Sequence, residues 1–288
     1  MPEGDTIFKV ATALRPFLLD KQVVAARAAA RFAKLDVLAG TTVTAIEPRG
    51  KHLLIAFDNG LALHTHLRMT GSWHRYTPGE KWKKPAHLAS VVLEVADSVV
   101  VCFSAPIVDL VKSDTTERHP SIKALGPDLL GETFDAEEAF RRLRAPERAQ
   151  FSLSEALLDQ RAMAGVGNIF KNEILFIHRL SPWGKMARLD DDTLREVIAT
   201  AERLLRFNVE PGQYARVTTD HAPETKGHSH WVYGRAGKPC FRCGSAISCK
   251  LQRADLPRYT WWCPTCQALP PRQPGQAAPV IQGAESPD

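Results

Sequence analysis

Apolar residues in the first twenty positions recur at helical spacing. Ile7, Val10, Ala11, Leu14, Phe17 and Leu18 form one stripe, which predicts an amphipathic helix over 5–19 with Asp5 as its N-cap. Pro16 lies inside that pattern and predicts a kink or an early end near Arg15. From residue 22 to about 105 the pattern becomes that of strands. TTVTAI (41–46) is β-rich. KHLLIAF and LALHTHL flank Asp58-Asn59-Gly60, a hairpin signal because Asn-Gly tolerates positive φ. ASVVLEV and SVVVCFS flank Ala96-Asp97, a second hairpin. Short strands at such close spacing predict a β-sandwich or barrel.

Residues 112–150 are polar and irregular and hold LGPDLL and a short charged helix, the pattern of a boundary. Three helical stretches follow: SLSEALLDQRAMA, GNIFKNEILFIHRL and DDTLREVIATAERLLRFNV. The expected organisation is a sandwich domain at 1–112, a linker region at 113–150, a helical domain at 151–225, a short cysteine-bearing module at 226–267 and a disordered tail at 268–288 with five prolines. The fold class is α+β.

A chain of 288 residues with 44% hydrophobic content is long enough to bury more than one core. The first thirty residues carry Glu3, Asp5, Lys9, Arg15, Asp20 and Lys21 and no apolar secretory segment. No stretch reaches the roughly 18 uncharged apolar residues of a membrane span. A cytoplasmic protein with reduced thiols is expected.

The net charge of +5 is mild, but its distribution is not. Between 226 and 267 seven basic residues (Lys226, Arg235, Lys238, Arg242, Lys250, Arg253 and Arg258) face a single acid, Asp255. Trp231, Tyr233, Phe241, Tyr259, Trp261 and Trp262 are interleaved with them. Basic and aromatic residues on a small module suit nucleic acid, and they equally suit a solvated basic surface over a small core.

Four of the six cysteines read Cys240-x2-Cys243 and Cys263-x2-Cys266 with 19 residues between the pairs. A two-residue gap lets one turn aim two sulfurs at one metal, so one structural Zn²⁺ is expected. A closed four-thiolate site leaves no open position for substrate and would scaffold rather than catalyse. Cys102 and Cys249 are left over as buried or incidental thiols, and Cys249, six residues from Cys243, has the wrong spacing to replace either pair member.

Gly165 and Gly167 fall between two helical segments, with Asn168 opening the second. Backbone N–H groups of such a turn can approach a phosphate, and Asn168 can cap the helix or bind the same phosphate. The turn can also be an ordinary helix–helix connection. Lys51, after Arg49-Gly50 at the mouth of a strand, is a solvated turn lysine unless DNA is the partner. The terminus itself admits chemistry. With Met1 removed, Pro2 presents a secondary amine whose iminium with an aldehyde is permanently cationic, an electron sink for β-elimination. Glu3 is close enough to exchange protons with oxygen on the same carbon.

Together these pieces resemble the formamidopyrimidine-DNA glycosylase/endonuclease VIII family of base-excision repair enzymes. The resemblance spans about residues 1–267 and rests on PEGDTI, RGKHLL, HLRMTGSW, LGPDLL, LLDQRAMAGVGNIFKNEILF, VYGRAGKPCFRCG and RYTWWCPTCQ. It implies an N-terminal helix and β-sandwich, a helix–two-turn–helix domain and a zinc finger on a β-hairpin. Damaged double-stranded DNA would lie in the cleft between them with the target base flipped out. By resemblance Pro2 attacks C1′, Glu3 protonates the sugar for ring opening, and β- and δ-elimination cut the strand. Lys51 matches a phosphate contact and proposed acid, and Asn168 the phosphate-binding asparagine. Arg258 matches the finger arginine, whose guanidinium suits phosphate clamping. Met69 sits where the family fills the gap left by the flipped base, an apolar wedge that a core methionine would otherwise explain.

One departure bears on the branch. The formamidopyrimidine enzymes carry an Asp-Pro-Arg-Arg-Phe-Gly segment, and here the stretch reads SAPIVDL (104–110). That resembles the endonuclease VIII branch, as does PEGDT, and implies oxidised pyrimidines rather than oxidised purines. The alternatives are a non-catalytic zinc-dependent DNA-damage-binding protein and an enzyme preferring oxidised purines. A monomer without a small-molecule cofactor is expected.

Overall fold

In the computed structural model, residues 2–113, 119–252 and 257–269 are described. The predicted tail from 270 onward, Arg253 and Asp255 of the basic count, and Met1 lie outside the described residues. Helix α1 runs Gly4–Leu18 and is followed by β1 (Ala25–Ala28), β2 (Val43–Arg49), β3 (His52–Phe57), β4 (Leu61–His66), β5 (Ser72–Tyr76), β6 (Ala89–Val95), β7 (Ser98–Phe103) and β8 (Ile107–Lys112). They form two antiparallel four-stranded sheets, ordered β1-β6-β7-β5 and β2-β3-β4-β8. Both anticipated hairpins are present, β3–β4 across Asp58-Asn59-Gly60, with Gly60 at φ 76°, and β6–β7 across Ala96-Asp97. Alternate residues of the strands (Leu53, Ile55, Phe57 and Leu63; Leu93, Val95, Val100 and Cys102) meet between the sheets, closed by Ile7, Ala11, Leu14 and Leu18 of α1.

Two details of α1 differ from expectation. Its N-cap is Glu3, not Asp5, because Asp5 lies in the first turn with its carboxylate paired to Arg216. Pro16 does not end the helix, which continues to Leu18. The carbonyl that Pro16 leaves without its helical donor belongs to Thr12, an exposed residue that water can reach. β8 forms on the SAPIVDL stretch and pairs with β4, completing the second sheet.

Beyond the sandwich come α2 (Pro120–Lys123), α3 (Ala136–Leu143), α4 (Leu153–Leu158), α5 (Asn168–Ile177) and α6 (Asp191–Phe207), then the hairpin of β9 (Ser248–Gln252) and β10 (Arg258–Trp262). The segment expected to be a linker contributes Leu129, Ala139 and Leu143 to the helical core, with Phe170, Ile174, Leu194, Ile198 and Leu205. The helix expected through Ala164 stops at Leu158. Asp159 leaves helical geometry at ψ 100°, because its carboxylate is held by Arg148 Nε at 3.0 Å and by the Arg161 N–H at 3.0 Å. The turns that follow deliver Gly165 and Gly167 to the start of α5. Phe176 of α5 packs with Trp231, Val232, Cys240, Ile247 and Cys263, which docks the cysteine module on the helical domain. Among the described residues no helix is long and apolar enough to cross a membrane.

Candidate active site

The glycine turn does not present its N–H groups to the cleft. Glu3, fully buried, places its carboxylate on the N-terminus of α5. Its oxygens accept from Gly167 N (2.9 Å), Ile169 N (2.7 Å) and Phe170 N (3.3 Å). An anion is favoured there by the unpaired donors and the helix dipole. The phosphate-cradle reading of Gly165 and Gly167 is therefore corrected, since the Gly167 N–H is taken by Glu3 and the Gly165 N–H donates to Gln160 Oε1 at 3.1 Å. The glycines serve close approach instead. A Cβ on Gly167 would lie 2.3 Å from Glu3 Cδ, and one on Gly4 would lie 2.9 Å from Gly165 Cα. Gly4 N donates to Gly165 O at 3.0 Å. Gly50 joins the same crossing, with φ 55° and its N–H donating to Asp128 Oδ2 at 2.6 Å. The PEG, RGK and GVG motifs are three strips of chain pressed together.

This crossing fixes Pro2 at the edge of a cleft of about 560 Å³ between the sandwich and the helical and hairpin elements. Lys51, Met69, Asn168 and Arg258 line the same cleft. Glu3 stands behind its wall, adjacent in sequence to Pro2 and closed to solvent. Asn168 does not cap α5. Its Nδ2 donates to Tyr259 O at 2.9 Å, tying the helix start to β10, and its buried Oδ1 has no partner. Met69 tops a tight turn whose closure needs Gly71, where a Cβ would meet Leu67 Cα at 2.8 Å. It is 55% exposed, so the core-methionine reading fails, and Arg258 Nη1 reaches its sulfur at 2.8 Å across the cleft.

The cleft is cationic on balance, with Lys51, Arg68, Arg161 and Arg258 on its walls against Glu155 and Asp159. Burial pushes the Lys51 ammonium down to about 8, opposed by Glu3 and reinforced by Arg258 and Arg216. Burial likewise lowers Lys171 to about 7, with Glu3 opposing and Arg258 reinforcing, while its Nζ donates to Thr260 Oγ1 at 2.8 Å. His66, also on the cleft wall, is pushed to about 4 by burial, Lys51 and Arg68. It accepts the Arg68 N–H at Nδ1 (3.0 Å), so a neutral ring carries its proton on Nε2.

The cysteine quartet is brought together at the base of the hairpin. Its four sulfurs lie within 4.8 Å of one another, with Cys240–Cys266 at 3.9 Å and Cys243–Cys263 at 3.4 Å. Sulfurs bound tetrahedrally at 2.3 Å from zinc stand about 3.8 Å apart, whereas a disulfide needs about 2.05 Å. The donor set fits a tetrahedral metal. Of the two cysteines outside it, Cys102 is in the sandwich core and Cys249 is exposed.

Several structural residues escaped the sequence reading. Glu173, fully buried, accepts from Trp231 N (2.6 Å), Val232 N (2.9 Å), Tyr233 N (2.8 Å) and Thr218 Oγ1 (2.5 Å). Asn172 Oδ1 accepts from Trp261 N, and Arg242 caps the last carbonyls of α5 at Phe176 (2.9 Å) and Ile177 (3.2 Å). Arg216 bonds Asp5 and Thr6 and locks the start of α1. A signal existed for Lys171, Asn172 and Glu173: the helix around them is apolar on every side, which forces polar members inward and into partnerships.

Residues 1–106 match the family model of the formamidopyrimidine-DNA glycosylase N-terminal domain, and 125–219 match that of the formamidopyrimidine-DNA glycosylase H2TH domain. The chain is 41% identical over 279 residues to a probable endonuclease 8 2 of Streptomyces coelicolor, covering 96% of this chain and 97% of that one. It is 37% identical to a DNA-(apurinic or apyrimidinic site) lyase of Mycolicibacterium smegmatis, covering 93% and 99% respectively. Its fold is similar to that of Lactococcus lactis formamidopyrimidine-DNA glycosylase, solved non-covalently bound to DNA containing an abasic site. That likeness has a TM-score of 0.78 at 23% identity and covers 93% of this chain and 100% of the other.

Proposed function

The chain belongs to the formamidopyrimidine-DNA glycosylase/endonuclease 8 family, on its endonuclease 8 branch, and from that premise we propose how it works. It is a base-excision DNA glycosylase and abasic-site lyase that uses the Pro2 amine on damaged duplex DNA and favours oxidised pyrimidines. The observation that carries this reading is the gathering of Pro2, Lys51, Met69, Asn168 and Arg258 on one cleft with Glu3 directly behind.

With Met1 removed, the Pro2 nitrogen opens on the cleft that Lys51 and Arg258 also line and reacts as the neutral amine. Its lone pair forms a bond to C1′ as the glycosidic bond breaks, and the base leaves with that electron pair and takes up a proton. The C1′–O4′ bond then opens as C1′=N⁺ forms, and O4′ receives the proton that the Pro2 amine gives up, passed on by the Glu3 carboxylate. Loss of a C2′ proton expels the 3′ phosphate, and a second elimination expels the 5′ phosphate. Lys51, Asn168 and Arg258 hold the flanking phosphates. Met69 fills the gap left in the stack. One structural Zn²⁺ would be held by Cys240, Cys243, Cys263 and Cys266, keeping β9 and β10 in place for Arg258.

In this reading residues 1–112 supply the nucleophile, 151–225 and 226–267 grip the duplex, and the protein acts as a cytoplasmic, nucleoid-associated monomer. The pyrimidine preference is supported by the 104–110 segment, which offers no arginine or phenylalanine to the opposite strand. Borohydride reduction on a duplex carrying an abasic site tests the chemistry. Protein with a processed terminus is expected to form a covalent adduct, and its absence leaves only a DNA-binding role. Faster incision of 5,6-dihydrouracil than of 8-oxoguanine opposite cytosine tests the branch preference.

A further inference from the structure

The sheet face that looks away from the sandwich core carries a cluster of imidazoles that the excision chemistry does not use. Register places His52 opposite His66 and His64 opposite Asp109, all on one face of β3, β4 and β8. His119, at the start of α2, brings its ring within 4.9 Å of His64. His64 Nδ1 lies 3.2 Å from Asp109 Oδ2, and His119 Nε2 lies 3.9 Å from the same oxygen. One ligand atom from each of the three falls within 4.8 Å of the others.

We propose that His64, Asp109 and His119 form a second metal site, separate from the cysteine quartet, for one divalent transition-metal ion of the zinc class. Ligands at about 2.0–2.1 Å around a tetrahedral ion stand roughly 3.3 Å apart. The His64–Asp109 distance already meets that spacing, the His119–Asp109 pair needs to close by about half an ångström, and the two imidazole nitrogens, within 4.8 Å of each other, by at most about 1.5 Å. Two imidazoles and one carboxylate suit zinc, cobalt, nickel or ferrous iron rather than magnesium or calcium, which prefer all-oxygen shells.

The surroundings are those of a ligand set. A metal-bound histidine usually donates its other ring N–H to a fixed acceptor. His64 Nε2 lies 2.8 Å from His52 Nδ1, so an ion on His64 Nδ1 leaves Nε2–H donating to His52. Of the two histidines only His64 has such an acceptor, and His119 Nδ1 is buried without a hydrogen-bond partner. His64 is fully buried whereas the Asp109 side chain is 44% exposed, which gives an ion an entry path and a water a fourth position. A bound ion would clip the start of α2, where the chain has left the sandwich, back onto β4 and β8.

Co²⁺ titration of the untagged full chain, stripped of metal, tests the site. Two equivalents are expected. The first gives intense thiolate charge-transfer absorption, and the second adds only weak ligand-field bands. Cys243→Ser should weaken the charge-transfer band and its affinity while keeping the second equivalent. His119→Ala and Asp109→Asn should each weaken the second by about tenfold or more while leaving the first intact. The metal-free melting temperatures of these two variants should equal that of the parent, which separates ligand loss from misfolding. Uptake of a single equivalent at saturating Co²⁺ would overturn the site, as would an undiminished second equivalent in the folded His119→Ala/Asp109→Asn double variant.

Discussion

Helix α5 is held from two sides by two buried glutamates, and the two seams differ in what they leave open. On the sandwich side, Glu3 arrives from the chain terminus and accepts three N–H groups at the helix start. On the finger side, Glu173 of the helix accepts three N–H groups and a hydroxyl from residues 218–233. The physics is the same: a carboxylate out of water, matched by donors that would otherwise be unsatisfied. At the Glu3 seam the next residue, Pro2, opens onto a cationic cleft. At the Glu173 seam the neighbours are Phe176, Trp231 and Val232, packed apolar side chains. One arrangement carries chemistry and scaffold together, and the other scaffold alone.

That contrast can be broken by experiment. Glu173→Ala leaves three backbone N–H groups without their acceptor, while the Thr218 hydroxyl can still donate to Ser229 O, and should cost about 3 kcal/mol or more of stability, read by denaturant unfolding. Adduct formation per folded molecule should survive if this seam is only scaffold. Glu3→Gln keeps one acceptor oxygen, so its stability cost should be smaller, about 1–3 kcal/mol. Excision of an intact damaged base should nonetheless slow by about 10²-fold or more, because the carboxylate that passes the proton to O4′ is gone. Cleavage at a preformed abasic site, which already presents an aldehyde, should fall less. Equal losses on both substrates would assign Glu3 to scaffolding and erase the difference between the seams.

Smaller effects sharpen the cleft itself. Free Lys51 releases its proton near pH 8, and a phosphate beside it raises that value. Binding therefore takes up a proton above pH 8, and affinity for an abasic-site duplex should fall as pH rises, by at most about tenfold per unit. Lys51→Arg should flatten that dependence, and an unchanged profile would remove Lys51 from the phosphate contacts. Arg258→Ala should reduce the slope of log affinity against log salt by about one, with little change in lesion preference.

Legibility follows the range of the interaction. The β3–β4 and β6–β7 hairpins are readable because Asn59-Gly60 and Ala96-Asp97 punctuate alternating strands within a dozen residues. The cysteine quartet is readable because each pair sits in one turn. Strands β1, β5 and β8 are not identifiable individually: β8 emerges from a stretch whose sequence interest lies in what it lacks, and it becomes a strand by pairing with β4 some 45 residues earlier. Asp5 has the sequence signature of the cap that Glu3 holds, but Arg216, 211 residues away, claims its carboxylate.

The candidate residues Pro2, Glu3, Lys51, Met69, Asn168 and Arg258 are each visible in the sequence through family-like motifs, yet what surrounds them is not. The glycine turn has the pattern of a phosphate cradle, since Gly-x-Gly before a helix supplies free N–H groups. Only folding brings Glu3 across 164 residues to occupy them. By itself the sequence determined the periodicities, the turns, the metal-ligand spacing and the residue types available for chemistry, all set within a few positions of chain. The tertiary structure decided which donors are already taken, which carboxylates are buried and which lysines lose their protons more readily. Those properties depend on desolvation and on partners brought from distant segments, and no local pattern encodes them.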